Sequence, residues 1–258
     1  MKLRTVLCVA FALLAGGYSF AQKKSKQGYF EIKVYTLKDK SQEDRVDAFL
    51  KDAYLPALHK TGIKNVGVFK PVETDTTFGK RIFVLIPYSN LEQFAETSDL
   101  LATATFTNGK EYLDAQYTDP PFVRLQSIIL RAFPGMPGLG LPSLTSARKD
   151  RIYELRSYEG PTEKIYRNKV KMFNDGDEIG LFRRLGFNAV FYADVIAGSR
   201  MPNLMYMTTF ENQTSHDEKW NAFRQDPQWK QLSSMSEYQH NVSKINIYLL
   251  RPVDYSDY

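Results

Sequence analysis

The sequence predicts an α+β protein of two tandem β-α-β-β-α-β units packed sheet to sheet, because three landmarks recur in the same order in both halves. The first is an alternating strand, Phe30-Glu31-Ile32-Lys33-Val34-Tyr35 early and Tyr153-Glu154-Leu155-Arg156-Ser157-Tyr158 late. The second is a helical pattern that stops at a glycine, Gly62 or Gly186. The third is a closing strand that ends in Leu-Arg, at Leu130-Arg131 and Leu250-Arg251. A repeat of roughly 120 residues exceeds a solenoid unit and has the size of one small domain. Two copies in one chain suggest a fused pseudo-dimer, the covalent version of a two-fold homodimer.

Residues 1–21 are set apart as a signal peptide. Lys2 and Arg4 precede an apolar run from Val6 to Leu14, and Ser19-Phe20-Ala21 supplies a small-x-small cleavage site. That run is too short for a stable bilayer anchor, so the chain is expected to be exported, periplasmic or secreted. The one cysteine, Cys8, falls inside this leader. The mature chain is therefore expected to lack disulfides, a thiol nucleophile and a thiolate metal site. Residues 22–27 form a basic tail. Cleavage lowers the formal net charge by two from +5. So mild a charge, without a clustered basic face, does not suit nucleic acid as a partner.

The first unit spans 28–133. After its opening strand, Ser41-Gln42-Glu43-Asp44 reads as a capping box, and Val46, Phe49, Leu50, Ala53 and Ala57 recur at helical spacing. Pro56 is expected to kink or break that helix, and Gly62 to cap it in a left-handed conformation. An apolar strand, Ile82-Phe83-Val84-Leu85-Ile86, leads to a second helix start at Ser89-Asn90-Leu91-Glu92. Residues 134–149 carry prolines and glycines, with Met136, Leu139 and Leu141 among them. Such a linker should lie extended along a surface.

The second unit spans 150–254. Tyr166, Val170 and Phe173 make one helical stripe, which Ile179, Phe182 and Leu185 continue beyond Gly176. The strand Leu204-Met205-Tyr206-Met207 precedes a capping box at Ser215-His216-Asp217-Glu218. Trp220 and Phe223 follow, and Asp226-Pro227 starts a short helix carrying Trp229 and Leu232. This element order is the ferredoxin-like plan. It leaves one sheet face covered by helices and the other bare. The faces bearing Phe30, Ile32 and Val34, and Tyr153 and Leu155, are expected against the helices. Glu31, Lys33, Tyr35, Glu154, Arg156 and Tyr158 are then expected at the junction between the two sheets.

The opening strand of the second unit, Leu181-Phe182, Gly186, the Tyr206-to-Phe210 strand and Trp220-x-x-Phe223-x-x-Asp226-Pro227-x-Trp229 together resemble the NIPSNAP family. The first unit keeps Glu31, Tyr35, Gly62 and Phe94 but has no tryptophan and no matching Asp-Pro. The resemblance implies a dimeric α/β barrel and no settled activity.

Little chemistry is otherwise signposted. His59, His216 and His240 are widely spaced, so no metal site is expected, and His216 is expected to be exposed in the first turn of its helix. Walker, Rossmann and GxSxG patterns are absent, and no cofactor is expected. Trp229 reads as a packing anchor. The ligand-binding candidates are Glu31, Lys33, Tyr35, Glu154, Arg156 and Tyr158. Glu154 and Tyr158 are also candidate acid–base groups, provided burial moves their pKa values. Two readings follow: an exported barrel that binds a small molecule or a protein partner, or a cofactor-independent monooxygenase or isomerase using the barrel cavity. A homo-oligomer is compatible with both.

Overall fold

The structure is a computed structural model that describes residues 26–100, 106 and 108–258. Residues 1–21, on which the expected signal peptide, Cys8 and the expected cleavage site fall, lie outside the described residues. Among those described, eight antiparallel strands close into one barrel in the order β1-β3-β2-β8-β5-β7-β6-β4. The first half supplies β1 (Tyr29–Thr36), β2 (Gly67–Pro71), β3 (Arg81–Tyr88) and β4 (Arg124–Ala132). The second supplies β5 (Ile152–Glu159), β6 (Asn188–Ala197), β7 (Asn203–Phe210) and β8 (Lys244–Pro252). The halves are sewn together along two seams. In one, Phe69, Lys70 and Pro71 pair with Pro252, Arg251 and Leu250. In the other, Leu130, Arg131 and Ala132 pair with Val195, Asp194 and Ala193. Closure removes every sheet edge, which would otherwise present unpaired backbone groups.

Closure also decides which strand faces are dry, and here the structure overturns the sequence expectation. Phe30, Ile32 and Val34 of β1, with Tyr153 and Leu155 of β5, point into the barrel and not at the helices. They pack there with Phe69, Phe83, Phe191, Met205 and Met207. Glu31, Lys33 and Tyr35, and Glu154, Arg156 and Tyr158, lie on the outer face beneath the helices. They are not at the sheet–sheet junction. An enclosed barrel lumen is the driest surface available, and each large apolar side chain buried there contributes about 1.5–3 kcal/mol. The alternating apolar set goes inside. Among the described residues the lumen is a packed core, with a dent of about 30 Å³ at one end between Arg81, Ser157, Arg200 and Tyr248.

The opposite end is covered by the linker, as its apolar residues suggest. Leu139 and Leu144 pack on the lumen cluster, while Gly28 N–H donates to the Pro137 carbonyl and Gly140 N–H to that of Val190.

The helices form two outer cores. In the first half, α1 (Lys40–Phe49) is capped by Asp39, which accepts from the Gln42 N–H, two residues before the expected Ser41. A wider π-helical turn (Leu50–Tyr54) separates it from α2 (Leu55–Lys60), so the helix loosens just ahead of Pro56. Proline has no N–H for the Asp52 carbonyl, which instead accepts from the Asn108 side chain. Next come α3 (Leu91–Ser98), capped by Asn90, and α4 (Lys110–Leu113). In the second half, α5 (Glu163–Asn174) and α6 (Glu178–Arg184) break at Gly176. Beyond them run α7 (Gln213–Gln225), capped by Asn212 and not by Ser215, and α8 (Pro227–Ser234), which starts at Asp226-Pro227 as expected. Gly62 and Gly186 have φ of 86° and 73°, the left-handed caps predicted for them. No helix among the described residues is long and apolar enough to cross a membrane.

Candidate functional site

Strand β5 alternates, so Glu154, Arg156 and Tyr158 share its outer face and look into the space beneath α5, α6, α7 and α8. Glu154 is 1% exposed, and each of its oxygens is engaged. Oε1 accepts from Arg156 Nε at 2.8 Å and lies 2.7 Å from Nη2. Oε2 accepts from the Trp220 indole N–H and lies 3.3 Å from His216 Nε2. Burial pushes the Glu154 carboxyl up, but His216 and Arg156 together outweigh it and hold the group below the usual carboxylate range. His216 is the mirror case. Burial lowers it, while Glu154 and Asp217 prevail and hold its imidazole above the ordinary value. His216 is therefore not the exposed first-turn residue expected from sequence; its side chain is 12% exposed and built into this network.

The Arg156 guanidinium lies over the Trp220 ring, 3.7 Å from its centroid, and its Nη1 donates to the Tyr158 hydroxyl at 3.1 Å. Tyr158 and Tyr206 hydroxyls are 2.9 Å apart, and burial lifts Tyr206 well above the ordinary phenol value. Next to them stands a second buried pair. Lys169 of α5 donates to Glu178 at the start of α6 across 2.8 Å, with its ammonium 4.7 Å from the Phe173 centroid.

Of these groups Arg156, Tyr158, Tyr206, Lys169, Glu178 and Trp220 line a cavity of about 370 Å³ on the outside of the barrel, and Glu154 and His216 do not. Its walls are Phe182, Trp220, Phe223 and Trp229; its floor holds Arg156, Tyr158 and Tyr206; Asn241, Val242 and Ile245 close one side. Trp229 is only half-buried and packs on Phe223 at 4.5 Å between centroids, so it is a wall more than an anchor. The buried tryptophan is Trp220.

The candidates of the first half are arranged differently. Glu31 accepts from Tyr88 at 3.0 Å and from Ser127 at 2.6 Å, and Lys33 Nζ is 3.1 Å from it. The space above them is filled by rings: Phe49 stacks on Tyr112 at 3.9 Å, and Tyr35 meets Tyr112 edge-on. The structure thus brings Arg156 and Tyr158 to a cavity, with Glu154 bonded to Arg156 but outside the lining, and holds Glu31, Lys33 and Tyr35 in a packed core. Sequence reasoning missed Lys169, Glu178, Tyr206 and Asn241. Lys169 and Glu178 sit on either side of the break at Gly176, so no single helical period relates them. Tyr206 was legible only as a strand residue, because its partner Tyr158 comes from another strand. Among the described residues, no group of three or more His, Cys, Asp and Glu side chains is arranged to hold a metal ion.

Residues 153–257 match the family model for NIPSNAP. Among solved structures, the chain is similar to a protein provisionally named a monooxygenase from Lactobacillus acidophilus, at 10% identity and a TM-score of 0.57, covering 88% of this chain and 94% of that one. A protein with the same provisional name from Fusobacterium nucleatum is similar at 7% identity and a TM-score of 0.53, over 88% and 93% of the two chains. An anthrone oxidase-like protein is similar at 8% identity and a TM-score of 0.54, over 89% and 93%. At such identities the likeness is one of fold. No curated protein matches the sequence.

Proposed function

With residues 153–257 matching the NIPSNAP family model, we propose that this chain is an exported small-molecule-binding protein whose second half is a NIPSNAP domain. In this reading it is a fused pseudo-dimer of two ferredoxin-like units, and only the second keeps a binding site. Strand order supports the pairing of units, since β4-β1-β3-β2 and β8-β5-β7-β6 repeat the same arrangement. The observation that carries the reading is the asymmetry between halves. Equivalent outer-face strands bear Glu-x-Lys/Arg-x-Tyr in both, yet Arg156 and Tyr158 themselves line an open cavity, whereas stacked rings cover Lys33 and Tyr35, and a hollow of about 400 Å³ in the first half is lined by Arg45, Phe49, Asp52 and Tyr112 and by none of Glu31, Lys33 and Tyr35. A purely structural ion-pair network needs no such space.

Native mass spectrometry of the purified mature protein tests this by detecting a retained small molecule. Ser233 lies on the cavity wall, so Ser233→Phe should fill the space and abolish retention. Retention unaffected by that change would contradict the site. Export rests on Lys2, Arg4, the Val6-to-Leu14 run and Ser19-Phe20-Ala21. Intact mass of the exported protein should correspond to a start at Gln22; a chain retaining residues 1–21 would overturn it.

The second reading is a cofactor-independent monooxygenase or isomerase, which the names of the structural relatives favour. The filled lumen offers no room for the barrel-cavity version of it. Of the two acid–base candidates only Tyr158 lines the outer cavity; Glu154 is outside its lining and already engaged by Arg156, Trp220 and His216. Turnover of a retained ligand by wild type and not by Tyr158→Phe would establish this reading in place of simple binding.

A further inference from the structure

We infer that the outer cavity of the second half is built for a flat, neutral aromatic carbonyl compound, and not for an aromatic anion or a hydrocarbon. The inference rests on the small-molecule reading above and adds the chemistry of the guest. Three observations carry it.

The first is shape. Phe182, Trp220, Phe223 and Trp229 surround about 370 Å³, a volume at the small end of ordinary ligand sites. Rings on several sides favour a planar apolar body, because aromatic faces and edges pack best against another flat ring.

The second is the inventory of unused donors. Asn241 is 5% exposed and lines the cavity, and its Nδ2 is buried without a hydrogen-bond partner. The Tyr158–Tyr206 pair contains two phenolic protons, but the one contact between the hydroxyls consumes only one of them. Arg156 already donates into the Tyr158 oxygen, and no acceptor among the described residues takes the second proton. Buried donors are nearly always satisfied, because stripping water from one without replacement is costly. Two such donors on one cavity call for a guest that brings an acceptor.

The third is charge. Three cations line the cavity: the two in its buried part each have a buried carboxylate, Glu154 for Arg156 and Glu178 for Lys169, and the third, Arg224, is exposed to solvent. An anionic guest held by these buried donors would shed its water beside cations that are already paired, Arg224 being exposed and screened by solvent, whereas a carbonyl oxygen accepts from them at small desolvation cost. The acceptor that fits is therefore neutral.

The test is an isosteric series on one ring system, titrated calorimetrically into the mature protein: acetonaphthone as the ketone, naphthoate as the anion and ethylnaphthalene as the hydrocarbon. The ketone should bind at least about tenfold more tightly than either, the margin expected when one buried donor gains its acceptor. Asn241→Leu should erase that margin while leaving the unliganded melting temperature unchanged or higher, because the donor has no structural partner to lose. A drop in that melting temperature would assign Asn241 a structural bond and overturn the donor argument. The isosteric Asn241→Asp gives a second, independent reading, since it replaces the donor with an acceptor and should weaken ketone binding most. Equal or tighter binding of naphthoate or ethylnaphthalene would overturn the carbonyl inference and leave the cavity reading standing. Binding of none of the three would count against both.

Discussion

His216 Nε2 lies 3.3 Å from Glu154 Oε2, while Arg156 holds the other oxygen, so one buried carboxylate is shared by an imidazole and a guanidinium. The imidazole also has Asp217 at 2.7 Å from Nδ1, Gln213 nearby, and the Phe210 ring at 4.8 Å. This arrangement ties the fold's stability to pH from both sides. The folded pKa of His216 is raised, so its contribution is complete below the unfolded value near about 6.5 and is lost as pH rises through the folded value. The folded pKa of Glu154 is lowered, so its contribution is complete above the unfolded value near about 4.3 and is lost as pH falls through the folded value. Melting temperatures of wild type and His216→Gln measured across pH should therefore differ most between these limits and converge on the alkaline side. A constant difference across the whole range would show that the imidazole is uncharged in the fold.

Arg156→Met should be strongly destabilising. It removes both bonds to Glu154 Oε1, the donor to Tyr158 and the cation over Trp220. Breaking a buried pair by removing one partner costs about 3–5 kcal/mol, and because Glu154 keeps Trp220 and His216 the loss should sit near the lower end. Urea denaturation would measure it. Adding Glu154→Gln to Arg156→Met should recover part of the loss, and no recovery would mean that the arginine acts through packing alone.

The two tryptophans should separate cleanly. Trp220 is buried, donates its indole N–H to Glu154 and packs on Phe182, Phe187 and Phe223. Trp220→Ala should cost about 3–5 kcal/mol, the usual range for a buried aromatic. Trp229 is half-buried and borders the cavity, so Trp229→Ala should cost roughly half as much and act mainly on ligand retention. Thermal denaturation of both variants, with native mass spectrometry of the second, distinguishes these effects.

The order of elements and the glycine caps were legible because each is written in local sequence. Strand periodicity was equally plain in Phe30-Glu31-Ile32 and Tyr153-Glu154-Leu155, but a period of two names two faces without saying which is drier. For a lone open sheet the apolar face goes to the helices; once β2 joins β8 and β4 joins β6, the lumen becomes the driest surface and the assignment inverts. The caps slipped for a related reason. Asp39 and Asn212 precede Ser41 and Ser215 closely, and each of these side chains suits an N-cap, so the choice depends on how the preceding strand ends. The cavity was beyond sequence altogether. It is assembled from β5, β7, α5 to α8 and the loop at Asn241, whose spacing in the chain carries no period.

The central claim is that the ligand binds outside the barrel, between the second sheet and its helices. Trp220 and Trp229 are the chain's two tryptophans, and both line that cavity. Protein grown with fluorotryptophan should thus give one fluorine resonance for each wall of the site. Titration with the retained ligand, or with acetonaphthone, should shift both resonances with the same dissociation constant that calorimetry gives. Binding detected by calorimetry that leaves both resonances unmoved would place the ligand elsewhere, such as the dent at Arg81 and Tyr248, and contradict the account.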